Sequence, residues 1–95
     1  MWQDIFKRNP QIVKRKIAGD VILVPISDPI AKQQRIFSLN EMGEYIWDRL
    51  DGNLCLAEIL ETVLQKFAVN EAQAKEDVMH FMQSAIQQGL IKKQE

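Results

Sequence analysis

Residues Phe37 to Gly52 read FSLNEMGEYIWDRLDG, and the character of the chain changes in the middle of them. The first three close an apolar strand of about Arg35 to Leu39. From Asn40 the spacing of apolar residues becomes helical. Asn40 is a good N-cap, and Glu41 and Glu44 place negative charge in the first turn, where the helix dipole favours it. Met42, Tyr45, Ile46, Trp47 and Leu50 form a broad apolar side, and Asp51-Gly52 is expected to end the helix. The stretch predicts a strand running directly into a capped helix, with Ile46 and Trp47 in the core.

On the N-terminal side, IVKRKIAGDVILVPI reads as two strands, Ile12 to Ile17 and Val21 to Ile26, joined at a Gly19-Asp20 turn. Pro25 lacks an N–H and marks the end of regular pairing. A loop, SDPIAKQQ, leads to the third strand. Before them, MWQDIFKRNP puts Trp2, Ile5 and Phe6 at helical spacing ahead of Pro10, which fits a short helical arm over residues 1–10 and a main domain over residues 11–92. So short a helix does not repay its nucleation alone, so the arm is expected to dock, either onto the domain or onto a second copy in a homodimer.

On the C-terminal side, Leu56, Ile59, Leu60, Val63, Leu64 and Phe67 recur at spacings of three and four and predict a core helix. The last helix begins at Asn70, with Gln73 in capping-box position, and runs to Gln88 before Gly89 and the apolar pair Leu90-Ile91. The fold class is therefore α+β: a three-stranded antiparallel β-meander followed by three α-helices. A meander leaves two sheet edges, each displaying backbone groups that another extended chain can pair with.

The chain has 95 residues, 46% of them hydrophobic, enough for one domain with one core. Its 12 basic and 13 acidic residues give no global pull towards nucleic acid or an anionic membrane. A single cysteine, Cys55, excludes an internal disulfide, and there is neither a membrane-length apolar run nor a signal-peptide core, so a soluble cytoplasmic protein is expected. His80 has no second His or Cys at ligand spacing, and no nucleophile–base pair or phosphate loop is visible. An enzyme, a metal site and a cofactor are accordingly not expected.

The last helix is apolar over about half its circumference, wider than the stripe of roughly 100° that one core requires. Either it is covered on two sides, or one margin lines a groove. The Asp77 and Phe81 flank is preferred over the Met79 and Ile86 flank. A DNA-reading role is disfavoured, because the helix carries Lys75 against Glu71, Glu76 and Asp77.

RIFSLNEMGEYIWDRLDG, followed by EIL, EDV and the terminal GLI, resembles the PqqD family over roughly Val13 to Ile91. The specific part is Leu39-Asn40-Glu41 with Gly43, then Ile46-Trp47 and Leu50-Asp51-Gly52. Where the family usually has Thr or Ser capping the second helix, this chain has Cys55, with Glu58 still three residues later. The resemblance implies a winged helix-turn-helix-like fold and a non-catalytic peptide chaperone. Such a protein binds the leader of a ribosomally made precursor peptide between its third strand and third helix, and presents it to a modifying enzyme, commonly a radical SAM protein. Carried onto this sequence, the peptide-binding residues are Arg35, Ile36, Phe37, Ser38, Leu39, Asp77, Val78, Phe81, Ser84 and Ala85. A winged-helix DNA-binding or general protein-interaction module is the alternative.

Overall fold

In the computed structural model, which describes residues 1–26 and 37–94, β2 (Ile12–Ile17) and β3 (Asp20–Pro25) form a hairpin in which Ile17 faces Asp20. Only Ala18 and Gly19 remain for the turn. Both have positive φ, 52° and 89°, as a type I′ hairpin turn demands. The turn therefore lies one residue before the expected Gly19-Asp20. The loop SDPIAKQQ and the start of the third strand, including Arg35 and Ile36, fall outside the described residues.

The third strand of the meander, β4 (Phe37–Leu39), pairs with β3 through Leu23 opposite Phe37 and Val21 opposite Leu39. The sheet order β2-β3-β4 makes β4 an edge strand. Alternation puts Phe37, Leu39, Leu23 and Val21 on the face that packs on the core, while Ser38 and Ile22 share the other face.

Three helices follow: α1 (Glu41–Asp48), α2 (Leu56–Lys66) and α3 (Glu71–Gln87). Ile46, Trp47, Leu50, Leu56, Ile59, Val63, Val78 and Met82 are among the buried residues that join Phe6, Leu23 and Leu39 in one core. The three-helix order and the core placement of Ile46 and Trp47 agree with the helical period that begins at Asn40. Among the described residues no helix is long and apolar enough to cross a membrane.

A second sheet corrects the sequence reading. Residues Ile5–Arg8 form a strand, β1, where a helical arm was expected, and β1 lies between β5 (Asp51–Cys55) and β6 (Ile91–Lys93). Three apolar residues over five positions cannot distinguish helix from strand when the decisive partners lie far along the chain. Asp51-Gly52 likewise opens β5. The helix has already ended at Asp48, with Arg49 as its C-cap, and Gly52 supplies a positive φ of 84° inside the strand. The apolar closure Leu90-Ile91 leads into β6. Arm and domain are thus one folded unit, and the arm docks onto its own chain, with Phe6 in the core and Trp2 packed against it.

The same arm resolves two helix ends. The carbonyls of Asp4 and Trp2 accept from the N–H groups of Leu56 and Ala57 at 2.9 and 2.8 Å, satisfying first-turn donors of α2 that the Cys55 side chain does not reach. The Cys55 N–H donates to Glu58 Oε1 at 2.9 Å, and that bond holds the Glu58 carboxyl below its ordinary pKa. Arg8 Nη1 donates to the carbonyls of Trp47 and Asp48, both at 3.1 Å, at the C-terminal end of α1. Lys14 on β2 spans to Glu44 and Asp48 of α1 at 2.8 and 2.9 Å; the hydrogen bond to Glu44 is the main reason its pKa is raised.

At α3, Asn70 accepts from the Gln73 N–H at 2.8 Å, but the Gln73 side chain turns away to Asp77, so only half of the expected capping box forms. The helix closes with Leu90 N–H on the Ala85 carbonyl and Gly89 N–H on that of Ile86, with Gly89 at φ 73°, the Schellman arrangement.

Because Phe6 fills the space between the second sheet and the helices, Phe6→Ala should cost about 3–5 kcal/mol, most or all of the stability of so small a domain. Denaturant unfolding measures this; a loss below about 1 kcal/mol would mean that the arm is an appendage.

Candidate functional site

The junction between β4 and α1 fixes one wall of the site. Leu39 ends the strand facing the core, and Asn40 caps the helix, its Oδ1 accepting from the Gly43 N–H at 2.7 Å. Strand edge and helix start are therefore held at a set angle, with no linker between them. Gly43 is a second constraint. A Cβ there would stand 3.2 Å from Asn40 Oδ1, 3.4 Å from Leu39 Cδ2 and 3.5 Å from Phe81 Cε1, so the missing side chain lets cap, strand and α3 converge.

Opposite this wall runs α3, and between the two lies a groove of about 600 Å³. Phe37, Leu39, Met42, Ile46 and Phe81 give it an apolar lining; Ser38, Asn40, Asp77, His80 and Ser84 supply polar groups. The rings of Phe37 and Phe81 meet edge to face with centroids 6.2 Å apart, joining strand and helix. Ser38 has its side chain on the sheet face shared with Ile22, which leaves its main chain to meet the groove.

Among the described lining residues Asp77 is the one carboxylate, and none of them is a Lys or Arg. Its Oδ1 accepts from Gln73 Nε2 at 2.8 Å. Lys75, one turn after Glu71, is paired with it at 3.2 Å and so is already engaged on the helix surface.

Of the residues named from the resemblance, Phe37, Ser38, Leu39, Asp77, Phe81 and Ser84 come together here. Val78 and Ala85 do not. Both are fully buried against the core, because they sit on the inward face of α3 with Ala74 and Met82. Asn40, Met42, Gly43, Ile46 and His80 line the groove without having been assigned to it. His80 had a visible signal, since it lies three residues after Asp77 and four before Ser84 on one helical flank. Met42 and Ile46 read as core residues, and nothing in the sequence separates a groove floor from a core. The other margin of α3 ends in an exposed Ile86.

The family model of coenzyme PQQ synthesis protein D (PqqD) matches residues 21–91. The chain belongs to the PqqD family. The match spans β4, all three helices, β5, nearly all of β3 and the first residue of β6, so the described lining of the groove of this PqqD-family chain lies wholly within it. Among solved structures, the chain is similar to TbiB1 in complex with the TbiA(beta) leader peptide, at 20% identity and TM-score 0.69, covering 90% of this chain and 94% of that one. It is also similar to lasso peptide synthetase B1 complexed with the leader peptide, at 17% identity and TM-score 0.70, covering 92% and 96%. At these identities the likeness establishes a shared fold. No curated protein is similar enough to count as a match.

Because the Asn40 cap sets the wall of the groove, Asn40→Ala should lower stability by about 1 kcal/mol. Chemical unfolding measures it. An unchanged midpoint would show that packing around Gly43, and not the cap, holds α1 against β4.

Proposed function

We propose that this PqqD-family chain is a non-catalytic adaptor that takes up the leader segment of a ribosomally made precursor peptide as an added strand on β4, in the groove facing α3. It would present that peptide to a modifying enzyme such as a radical SAM protein. The observation that carries the reading is the groove itself: a strand unpaired on one side among the described residues, beside a groove with an apolar lining and faced by Asp77, His80, Phe81 and Ser84 of α3. Main-chain hydrogen bonds to such an edge supply affinity, and pockets for alternate side chains supply selectivity.

Two further observations support it. Both structural neighbours are complexes with leader peptides. Moreover, the strands at the sheet edges differ in charge: β2 carries Lys14, Arg15 and Lys16, β5 carries Asp51, β6 carries Lys92 and Lys93, and the described residues of β4, Phe37–Leu39, carry none. Charges on an edge discourage pairing with a second chain. Their absence from β4 leaves that edge receptive.

The test acts on the backbone. Successive N–H groups of a strand point to opposite sides, so of Phe37 and Ser38 one donates towards β3 and the other towards the open edge. Phe37→Pro and Ser38→Pro should therefore behave asymmetrically. One should unfold or strongly destabilise the domain; the other should stay folded and lose at least tenfold in leader affinity against its alanine control, about the value of one good hydrogen bond. Calorimetric titration with the leader of a short peptide encoded beside this chain gives the answer. Equal affinity of the folded proline variant and its alanine control would remove strand addition at β4.

A further inference from the structure

Resting on the reading just given, we infer that the groove selects leader segments bearing a Lys or Arg two residues away from an aromatic or large apolar residue, the basic side chain facing Asp77 and the apolar one facing Phe81.

The spacing follows from geometry. Side chains of one parity on a strand added to β4 share the sheet face of Phe37 and Leu39, the face turned towards the helices. Such side chains recur about every 6.7 Å along the strand, and Asp77 and Phe81, four residues apart on α3, are offset by about 6 Å along its axis. For a guest strand lying along α3, one helical turn of the wall matches one two-residue step of the guest. Phe81, half-buried and in edge contact with Phe37, offers an apolar seat. One step away stands Asp77.

The sign of the charge follows from what surrounds that seat. Asp77 is engaged through Oδ1 by the neutral amide of Gln73, and among the described residues no cation is paired with it. Lys75 is paired to Glu71, and Glu76 adds a second negative charge to the same stretch of helix. With no Lys or Arg among the described lining residues, a guest carboxylate next to Asp77 would meet repulsion in a partly desolvated groove. A guest ammonium or guanidinium would meet a carboxylate oxygen free to accept. The aliphatic stem of Lys or Arg can also lie along the apolar lining while its head reaches Asp77.

The experiment is selection from a phage-displayed library of random 12-residue peptides on the full chain, on Asp77→Asn, on Asp77→Lys and on whichever proline variant of β4 stays folded. The native chain should enrich Lys or Arg two positions from an aromatic or large apolar residue. The enrichment should vanish with Asp77→Asn and turn towards Asp and Glu with Asp77→Lys. In a selected peptide, exchanging the basic residue for Gln should weaken binding to the native chain by about threefold to fivefold, as a partly exposed charge pair allows, and leave binding to Asp77→Asn unchanged. Peptides that require the open edge of β4 yet show no basic preference overturn this inference and leave strand addition standing. A failure to select any peptide, or peptides that bind the folded proline variant as well as the native chain, overturns both.

Discussion

The hydrogen bond from the Gly43 N–H to Asn40 Oδ1 fixes the single residue between the end of β4 and the first turn of α1, and much of the molecule is arranged around that joint. A strand that runs into a helix with one capping residue between them has little freedom of angle. Once β4 is paired to β3, α1 must leave in one direction. Leu39 on one side of the cap and Ile46 and Trp47 on the other then enter the same core, and α3 packs where Gly43 leaves room for Phe81. The groove is a by-product of this geometry: it lies between β4 and α3, and among the described residues nothing pairs with the outer edge of β4.

How much of this was legible follows from the range of the interactions concerned. Local signals read well. Asn40 and Asn70 cap as their sequence contexts suggest, Gly89 closes α3, and Leu56, Ile59, Leu60 and Val63 of α2 are buried with Leu64 and Phe67 packed against the core. What escaped is the second sheet, since β1, β5 and β6 draw their identity from each other across the whole chain. Phe6 opposite Lys93 and Ile5 opposite Cys55 leave no local imprint. Asp51-Gly52 misleads for a physical reason as well. An Asp whose Oδ1 accepts from Asn53 N–H, followed by a glycine at positive φ, can close a helix or begin an irregular strand, and only the presence of β1 decides. In the site, the family resemblance carries Val78 and Ala85 over together with Phe81 and Ser84, and the helical period alone does not separate residues turned to the groove from those one step inward.

The second sheet also explains how a weak helix cap is tolerated. Cys55 is a poor N-cap, yet carbonyls of the N-terminal arm serve the α2 donors directly, and Arg8 braces the end of α1. Two of the three helices are thus tied to the N-terminal arm, α2 through Trp2 and Asp4 just ahead of β1 and α1 through Arg8 at the end of β1. The two sheets differ in character: β5-β1-β6 carries charges at its margins, whereas the described end of β2-β3-β4, Phe37–Leu39, is uncharged and borders the groove.

That difference leads to a direct measurement, amide hydrogen exchange of the labelled protein with and without a bound leader segment, resolved residue by residue. Strand addition on β4 predicts that one of the two neighbouring amides, Phe37 or Ser38, becomes strongly protected on binding, while the amides of β5 and β6 keep their free-state rates. Protection gained at β5 or β6, with both β4 amides unchanged, would contradict it.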